Sequence, residues 1–212
     1  MKIIKSVMGY ASSNTYFIEK DNHVVVIDPC LDPNQDATRL LNPLKGKIVS
    51  GILITHGHFD HISGIDAICE VFDTTVYVYH EEAEWLKNPS LNLSTMTPEI
   101  VSIQKEPILI DLGYLNVGQF EFEVISTAGH TAGSVSYRLE NDIFDGDFIF
   151  QNSVGRMDLP TGSGPLMTSQ IEKFIDRFEA INPTLYPGHG EPTTLQAEIK
   201  YNPFIKHLLR NT

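Results

Sequence analysis

Apolar and polar positions along the chain repeat with two different periods, and together they predict a mixture of strands and helices. Alternating or continuously apolar runs, bounded by turn-forming residues, predict strands over residues 15–18, 24–27, 48–54, 76–79, 120–125 and 134–139. Apolar residues spaced three or four positions apart predict helices over residues 37–41, 62–72, 81–86, 168–181 and 193–201. The chain shows no repeat, low-complexity tract or linker, so its 212 residues predict a single α/β domain over residues 1–212.

Charge and composition narrow the classes of partner. The formal net charge of −12 argues against a nucleic-acid partner, because binding to phosphate backbones relies on a positive surface. The first residues lack the apolar stretch of a signal peptide and no run is long enough to cross a bilayer, so we expect no membrane partner and a cytoplasmic location. Cys30 and Cys69 are then expected to be reduced thiols. The sequence predicts no oligomeric state.

The most informative motif is the run 56–61, which follows the apolar segment 51–54. It places four metal-binding side chains within six residues, namely His56, His58, Asp60 and His61. Three imidazoles and a carboxylate crowded at the end of a buried strand indicate a divalent cation, because these groups suit zinc, iron or manganese. Along a strand His56 and His58 would point to one side, while Asp60 and His61 could reach a second position across the turn.

Three further residues of the same chemistry follow the predicted strand 120–125 and two short strand-like stretches at residues 143–144 and 184–185. His130 lies in Gly129-His130-Thr131, Asp147 follows Gly146, and His189 lies in Pro187-Gly188-His189-Gly190. Each lies beside a glycine, which lets backbone approach a crowded site closely. One such residue would be weak evidence, but seven at strand–loop junctions predict a metal centre. Asp28, at the end of another strand, is expected to form structural hydrogen bonds near the metal loop instead of binding metal.

These motifs in this order resemble the metallo-β-lactamase superfamily along nearly the whole chain. Residues 146–150, 155–158 and 186–194 resemble its glyoxalase II branch, the hydroxyacylglutathione hydrolase-like proteins. The resemblance implies a four-layer αββα sandwich and two divalent ions, zinc being the expected metal with iron or manganese as alternatives. The implied ligands are His56, His58 and His130 for the first ion, Asp60, His61 and His189 for the second, and Asp147 as the bridge.

The resemblance implies hydrolysis by a hydroxide held between the two ions. Close divalent cations lower the pKa of a shared water and can stabilise the oxyanion that forms upon attack. Asp60 would both bind the second ion and orient the attacking water. We expect a small-molecule thioester as substrate, because a thiolate with a free-thiol pKa of about 8.5 leaves without a strong general acid. The carrier would be glutathione or another small thiol. The alternative carrier is considered because we expect this protein to be a short form of the family, without the C-terminal helical region that binds glutathione in full-length members.

Arg156 is the candidate substrate-binding residue. In the glyoxalase II branch a basic residue in this loop faces the anionic tail of the substrate, which would give Arg156 that role. The alternative is a salt bridge with Asp158 at the rim of the site.

Other functions stay open on the same ligands. A persulfide dioxygenase would hold a single iron on His56, His130 and Asp147, and iron also accepts imidazole and carboxylate. A lactonase or a phosphodiesterase of the same superfamily is a further alternative. A non-catalytic, metal-stabilised module is disfavoured, because structural zinc sites are usually closed by four protein ligands.

Overall fold

The computed structural model describes residues 1–210, which divide into two compact units. Unit 1 comprises Met1–Asp111 and Leu115–Glu121, and unit 2 comprises Leu112–Tyr114 and the chain from Phe122 onward. The prediction of a single domain over residues 1–212 stays a prediction. In the described part of the chain no helix is both long and apolar enough to span a membrane.

The first sheet has six strands in the order of the chain. They are β1 (Lys2–Met8), β2 (Ser13–Lys20), β3 (His23–Ile27), β4 (Ile48–Ile54), β5 (Val76–Tyr79) and β6 (Ile108–Ile110). β1, β2 and β3 run antiparallel, and Asp21 and Asn22, both with positive φ, form the two-residue turn between β2 and β3. β3 to β6 run parallel, so their carboxyl ends meet at one edge of the sheet.

Short helices cover this sheet in unit 1. They are α1 (Thr38–Leu41), α2 (Phe59–Ile62) and α3 (Ile65–Val71), with 3-10 turns at Pro33–Gln35, Asn42–Leu44, His80–Leu86 and Ser94–Met96. The predicted helix 62–72 is corrected: the chain breaks at Ser63 and Gly64 between α2 and α3. Gly64 donates its backbone N–H to Pro29 O at 2.8 Å, and a Cβ on Gly64 would lie 2.5 Å from Leu40 Cδ2. His61 therefore lies in its own short turn of helix.

The second sheet has the strand order β14-β13-β10-β9-β8-β7. Its strands are β7 (Gly113–Val117), β8 (Phe120–Ser126), β9 (Val135–Leu139), β10 (Asp142–Gly146), β13 (Thr184–Pro187) and β14 (Thr193–Thr194), and β11 (Ile149–Phe150) pairs with β12 (Ser153–Val154) as a separate hairpin. β10 and β13 are parallel neighbours, whereas β8 and β9, β9 and β10, β13 and β14, and β11 and β12 pair antiparallel. The carboxyl ends of β10 and β13 are therefore adjacent.

Among its described residues, unit 2 contains the helices α4 (Gly164–Phe178), α5 (Leu195–Tyr201) and α6 (Pro203–Leu208). α4 begins earlier than the predicted residue 168, because Ser163 caps it by accepting a hydrogen bond from the N–H of Leu166 and a proline occupies the first turn. Its apolar face, which includes Met167, Ile171 and Phe178, packs into a buried cluster with residues of β10, β13, α5 and α6.

Candidate metal centre

The four candidate ligands of the run 56–61 are buried in unit 1, just after the carboxyl end of β4. Ile52 to Ile54 are inaccessible to solvent, as expected of a central parallel strand, and the chain then turns into α2. His56, His58, Asp60 and His61 follow, and all four are buried. The ring centroid of His56 lies 4.8 Å from that of His58 and 4.2 Å from that of His61. The four side chains therefore lie close together, and their binding of metal stays a prediction.

Asp28 holds this group in place from the end of β3. Its Oδ1 accepts the backbone N–H of Thr55 at 2.8 Å, and its Oδ2 accepts the hydroxyl of Thr55 at 2.6 Å and Nδ1 of His61 at 3.0 Å. The expected structural hydrogen bonds of Asp28 are thus present, although ligand atoms of Asp28, His56 and His61 also lie within 4.8 Å of one another. Because Nδ1 of His61 donates to Asp28, Nε2 is the acceptor nitrogen, and it lies 3.5 Å from Asp60 Oδ2.

His56 shows the same arrangement. The hydroxyl of Thr55 gives its proton to Asp28 and therefore accepts from Nδ1 of His56, at 3.1 Å. In that arrangement Nε2 of His56 carries no proton and has a lone pair suited to a metal ion. Thr55 was not singled out in the sequence, since nothing in its local pattern distinguishes it from a strand-end threonine.

Ser13 is a second residue that the sequence did not reveal. Its buried hydroxyl donates to Asp60 Oδ2 at 2.6 Å across 47 positions of sequence. This bond holds the carboxylate in one orientation, next to Nε2 of His61. A serine at the start of β2 carries no local signal for this role.

The glycine inside the motif has a packing reason. A Cβ on Gly57 would lie 2.2 Å from Cβ of Trp85, and the N–H of Gly57 donates to the buried carboxylate of Glu82 at 2.8 Å. The ring of Trp85 lies 5.4 Å from that of His58. The 3-10 turn His80–Leu86 therefore supports the loop that carries the first ligands.

Unit 2 brings together the remaining three predicted ligands. Asp147 and His189 follow the parallel strands β10 and β13, whose ends are joined by the N–H of Gly188 donating to Gly146 O at 2.7 Å. Asp147 Oδ2 lies 3.3 Å from Nε2 of His130 and 3.6 Å from Nε2 of His189. One carboxylate oxygen is thus approached by two imidazoles from different parts of the chain.

A backbone carbonyl sets the orientation of His130. Nδ1 of His130 donates to Arg156 O at 2.7 Å, so in the neutral ring Nε2 is an acceptor and faces the carboxylate of Asp147. Two acceptors at this separation repel each other unless a cation or a proton lies between them. A metal-bound histidine typically donates its other ring N–H to a carboxylate or a carbonyl, as His61 and His130 both do. The residues of each unit therefore fit divalent metal ions.

The side chain of Arg156 forms the salt bridge with Asp158. Nε and Nη2 donate to the two carboxylate oxygens at 2.7 and 2.9 Å. These hydrogen bonds lower the pKa of Asp158 to about 2 and raise the pKa of Arg156, and both side chains are exposed. The pair thus stays ionised throughout the neutral range. Binding of substrate by Arg156 stays a prediction.

Comparisons with known proteins identify the family of this chain. The family model of the metallo-β-lactamase superfamily matches residues 8–189. The protein named "Probable metallo-hydrolase YqgX" of Bacillus subtilis is 34% identical over 97% of this chain and 98% of its own length.

Two solved structures extend the match. The structure titled BLEG-1 B3 metallo-beta-lactamase has a TM-score of 0.87 at 34% identity and covers 96% of this chain and 99% of its own. The structure titled TTHA1623 in a di-iron-bound form has a TM-score of 0.82 at 28% identity, covering 95% and 99%. The two mixed sheets with their helices are accordingly the metallo-β-lactamase fold, and this chain belongs to the metallo-β-lactamase superfamily.

Proposed function

We propose that this protein is a dinuclear metal-dependent hydrolase of small thioesters. The proposal that the protein depends on metal rests on an arrangement that three histidines share. His56, His61 and His130 each donate Nδ1 to an oxygen of the protein, which reserves Nε2 for a metal ion. The relative named as a probable metallo-hydrolase and the neighbour described as di-iron-bound support the class.

In this proposal the seven ligands serve one pair of ions. His56, His58 and His130 would hold the first, Asp60, His61 and His189 would hold the second, and Asp147 would be shared by both. Zinc is the expected metal, with iron or manganese as alternatives, since imidazole and carboxylate suit all three. When bound, such ions activate water as a nucleophile and polarise a carbonyl. Asp60, held by Ser13, would accept a hydrogen bond from the attacking water and orient it.

The leaving group argues for a thioester. A thiolate derived from a thiol of pKa about 8.5 departs without protonation, whereas the amine of an unstrained amide needs a proton donor. The proposed partner is therefore a small thiol carrier, glutathione or another, esterified with a carboxylic acid.

The deciding experiment measures metal content and substrate class together. Protein purified without added metal would be analysed for zinc, iron and manganese, and then assayed with thioesters, lactones, phosphodiesters and β-lactams. We expect two ions per chain and hydrolysis of thioesters above the other substrates. One iron per chain, with oxygen uptake on a persulfide, would replace the proposal with the dioxygenase.

Hydrolysis of β-lactams is a second candidate, favoured by the 34% identity to the structure described as a B3 metallo-beta-lactamase. The strained ring of a β-lactam makes its amide easier to open than an ordinary one. A kcat/KM for a β-lactam above that for every thioester in the panel would favour this candidate.

Arg156 tests the nature of the thioester. Its guanidinium could pair with a carboxylate of the carrier through the planar fork that now holds Asp158. Arg156→Ala should then weaken the binding of anionic thioesters by about 1–3 kcal/mol, seen as a higher KM. The kcat for these substrates and the KM for neutral thioesters should change little. Asp158→Asn is the matched control, because it weakens the competing salt bridge and should not raise KM. Equal effects of Arg156→Ala on charged and neutral substrates would remove Arg156 from the binding site.

A further inference from the structure

A buried carboxylate in unit 2 lies outside the ligand set. Glu198 on α5 is almost inaccessible to solvent and accepts three hydrogen bonds. Its Oε1 accepts the hydroxyl of Thr193 at 2.6 Å, and its Oε2 accepts the backbone N–H of Asn152 at 2.8 Å and Nδ2 of Asn202 at 3.0 Å. A buried carboxylate usually has such hydrogen-bond partners. Through these bonds one side chain connects the segments that carry Asn152, Thr193 and Asn202.

Asn202 extends the network to the hairpin of β11 and β12, in whose turn Asn152 lies. Its side-chain amide donates to Ser153 O at 2.8 Å and to Phe150 O at 3.4 Å, and its Oδ1 accepts from the backbone N–H groups that begin α6. The hairpin of β11 and β12 is thus held by both side chains. Asn152, at its turn, has a positive φ of 61°, which asparagine tolerates better than most residues.

This hairpin connects two parts of the metal centre. It begins two residues after Asp147 and is followed by Gly155 and Arg156, whose carbonyl orients His130. Gly155 packs so closely that a Cβ would lie 1.9 Å from Asp147 O. Thr193, the third partner of Glu198, follows His189 by four residues.

We infer that Glu198, together with Asn202, is a positioning residue for the three metal ligands of unit 2. It binds no metal itself. It fixes the hairpin and the start of β14, and through them the orientations of His130, Asp147 and His189. The inference rests on the ligand set of the proposed function. Loss of such an outer partner typically weakens metal binding by about 10- to 100-fold.

The test compares four variants of the full chain by zinc affinity against a chelating indicator and by the spectrum of the cobalt-loaded protein. Glu198→Ala removes all three acceptor contacts. Glu198→Gln keeps one oxygen for Asn152 and Asn202 and can donate to the hydroxyl of Thr193. Asn202→Ser keeps a residue that caps α6 but removes the amide that holds the hairpin. Phe178→Leu lowers stability from the core of α4 without touching the network.

We expect Glu198→Ala to raise the zinc dissociation constant by about 10- to 100-fold and to change the cobalt spectrum. Glu198→Gln should restore most of the affinity, and Asn202→Ser should fall between the two. Phe178→Leu should lower Tm and keep the affinity of the wild type. Faster hydrogen exchange at the amide of Asn152 in Glu198→Ala would show that the hairpin has been released.

Two results would overturn the inference. One is a folded Glu198→Ala with wild-type zinc affinity, and the other is an equal loss of affinity in Phe178→Leu. If Glu198→Ala does not fold, the zinc affinity of Asn202→Ser tests the inference instead, and a wild-type affinity in that variant would overturn the inference. A wild-type chain that binds no metal would overturn the proposed metal centre itself. This outcome is distinct because it is measured on the wild type, without any variant.

Discussion

At the scale of single residues, the candidate centre depends on which atom of each side chain is already engaged. His61 and His130 give Nδ1 to Asp28 and to Arg156 O, so the opposite nitrogen of each ring faces a carboxylate. Two imidazoles, those of His130 and His189, approach the same carboxylate oxygen of Asp147. Its charge is therefore the one whose removal should matter most.

We expect Asp147→Asn to lose metal and activity together. The amide keeps the shape of the side chain but removes the negative charge that would offset two dications. Metal content and kcat should each fall, kcat by more than tenfold, or about 1.4 kcal/mol. Asp176→Asn, an exposed position on α4, is the control and should behave as wild type. Two bound ions and more than about a tenth of wild-type kcat in Asp147→Asn would show that Asp147 is not the bridge.

Cys30 gives a prediction for pH. Both cysteines are free thiols, and burial raises the pKa of Cys30 to about 12. An unfolded cysteine ionises near pH 8.5, so between about pH 8.5 and 12 the unfolded chain binds fewer protons than the folded one at this position. This group therefore makes the folded state less stable as pH rises, by up to about 1.4 kcal/mol per pH unit. Denaturant unfolding of wild type and Cys30→Ala should diverge above pH 8.5, and parallel curves would contradict the shift.

At the scale of elements, predictions were best for strands formed by a continuous apolar run. β4 and β5 have the predicted bounds, because a continuous apolar run between turn residues has few other interpretations. β1, β6 and β7 were not among the strands predicted, since their residues alternate weakly or the strand is only three residues long. The predicted helix 81–86 forms as a 3-10 turn over His80–Leu86.

The hairpin after Asp147 provides a prediction at this scale. Gly155→Ala should displace the carbonyl of Asp147, because the added Cβ would lie 1.9 Å from it. We expect a loss of about 1–3 kcal/mol in the free energy of unfolding together with weaker metal binding. Gly164→Ala is the matched control, since the closest atom to its Cβ is Met157 Sδ at 3.9 Å. If thermal unfolding cannot distinguish the two variants, the close packing of Gly155 does not constrain the loop.

At the scale of the whole molecule, metal binding should contribute to stability. A ligand that binds only the folded state stabilises it by about 4 kcal/mol at a thousand times its dissociation constant. Removing metal with a chelator should then lower Tm by about 8–16 °C for a chain of this size. Asp147→Asn should respond much less to the chelator. A wild-type Tm that does not change on chelation would argue against the metal centre.

The sequence by itself pointed to the family and to seven candidate metal ligands. The run 56–61 and the three later residues at His130, Asp147 and His189 are local motifs, readable because metal ligation demands particular side chains at short spacing. The structure places the candidate ligands of each unit close together. The break between α2 and α3 was not predictable, because it depends on Gly64 meeting Pro29 and Leu40.

Only the tertiary structure decided which residues hold the ligands in place. Ser13 contacts Asp60 across 47 positions, Arg156 O contacts His130 across 26, and Glu198 contacts Asn152 across 46. Serine and glutamate are common residues and every residue has a backbone carbonyl, so their presence in the sequence marks no site. Their roles come from the hydrogen bonds they make once the strands are paired and water is excluded, and a hydrogen bond between distant residues leaves no pattern in the local sequence.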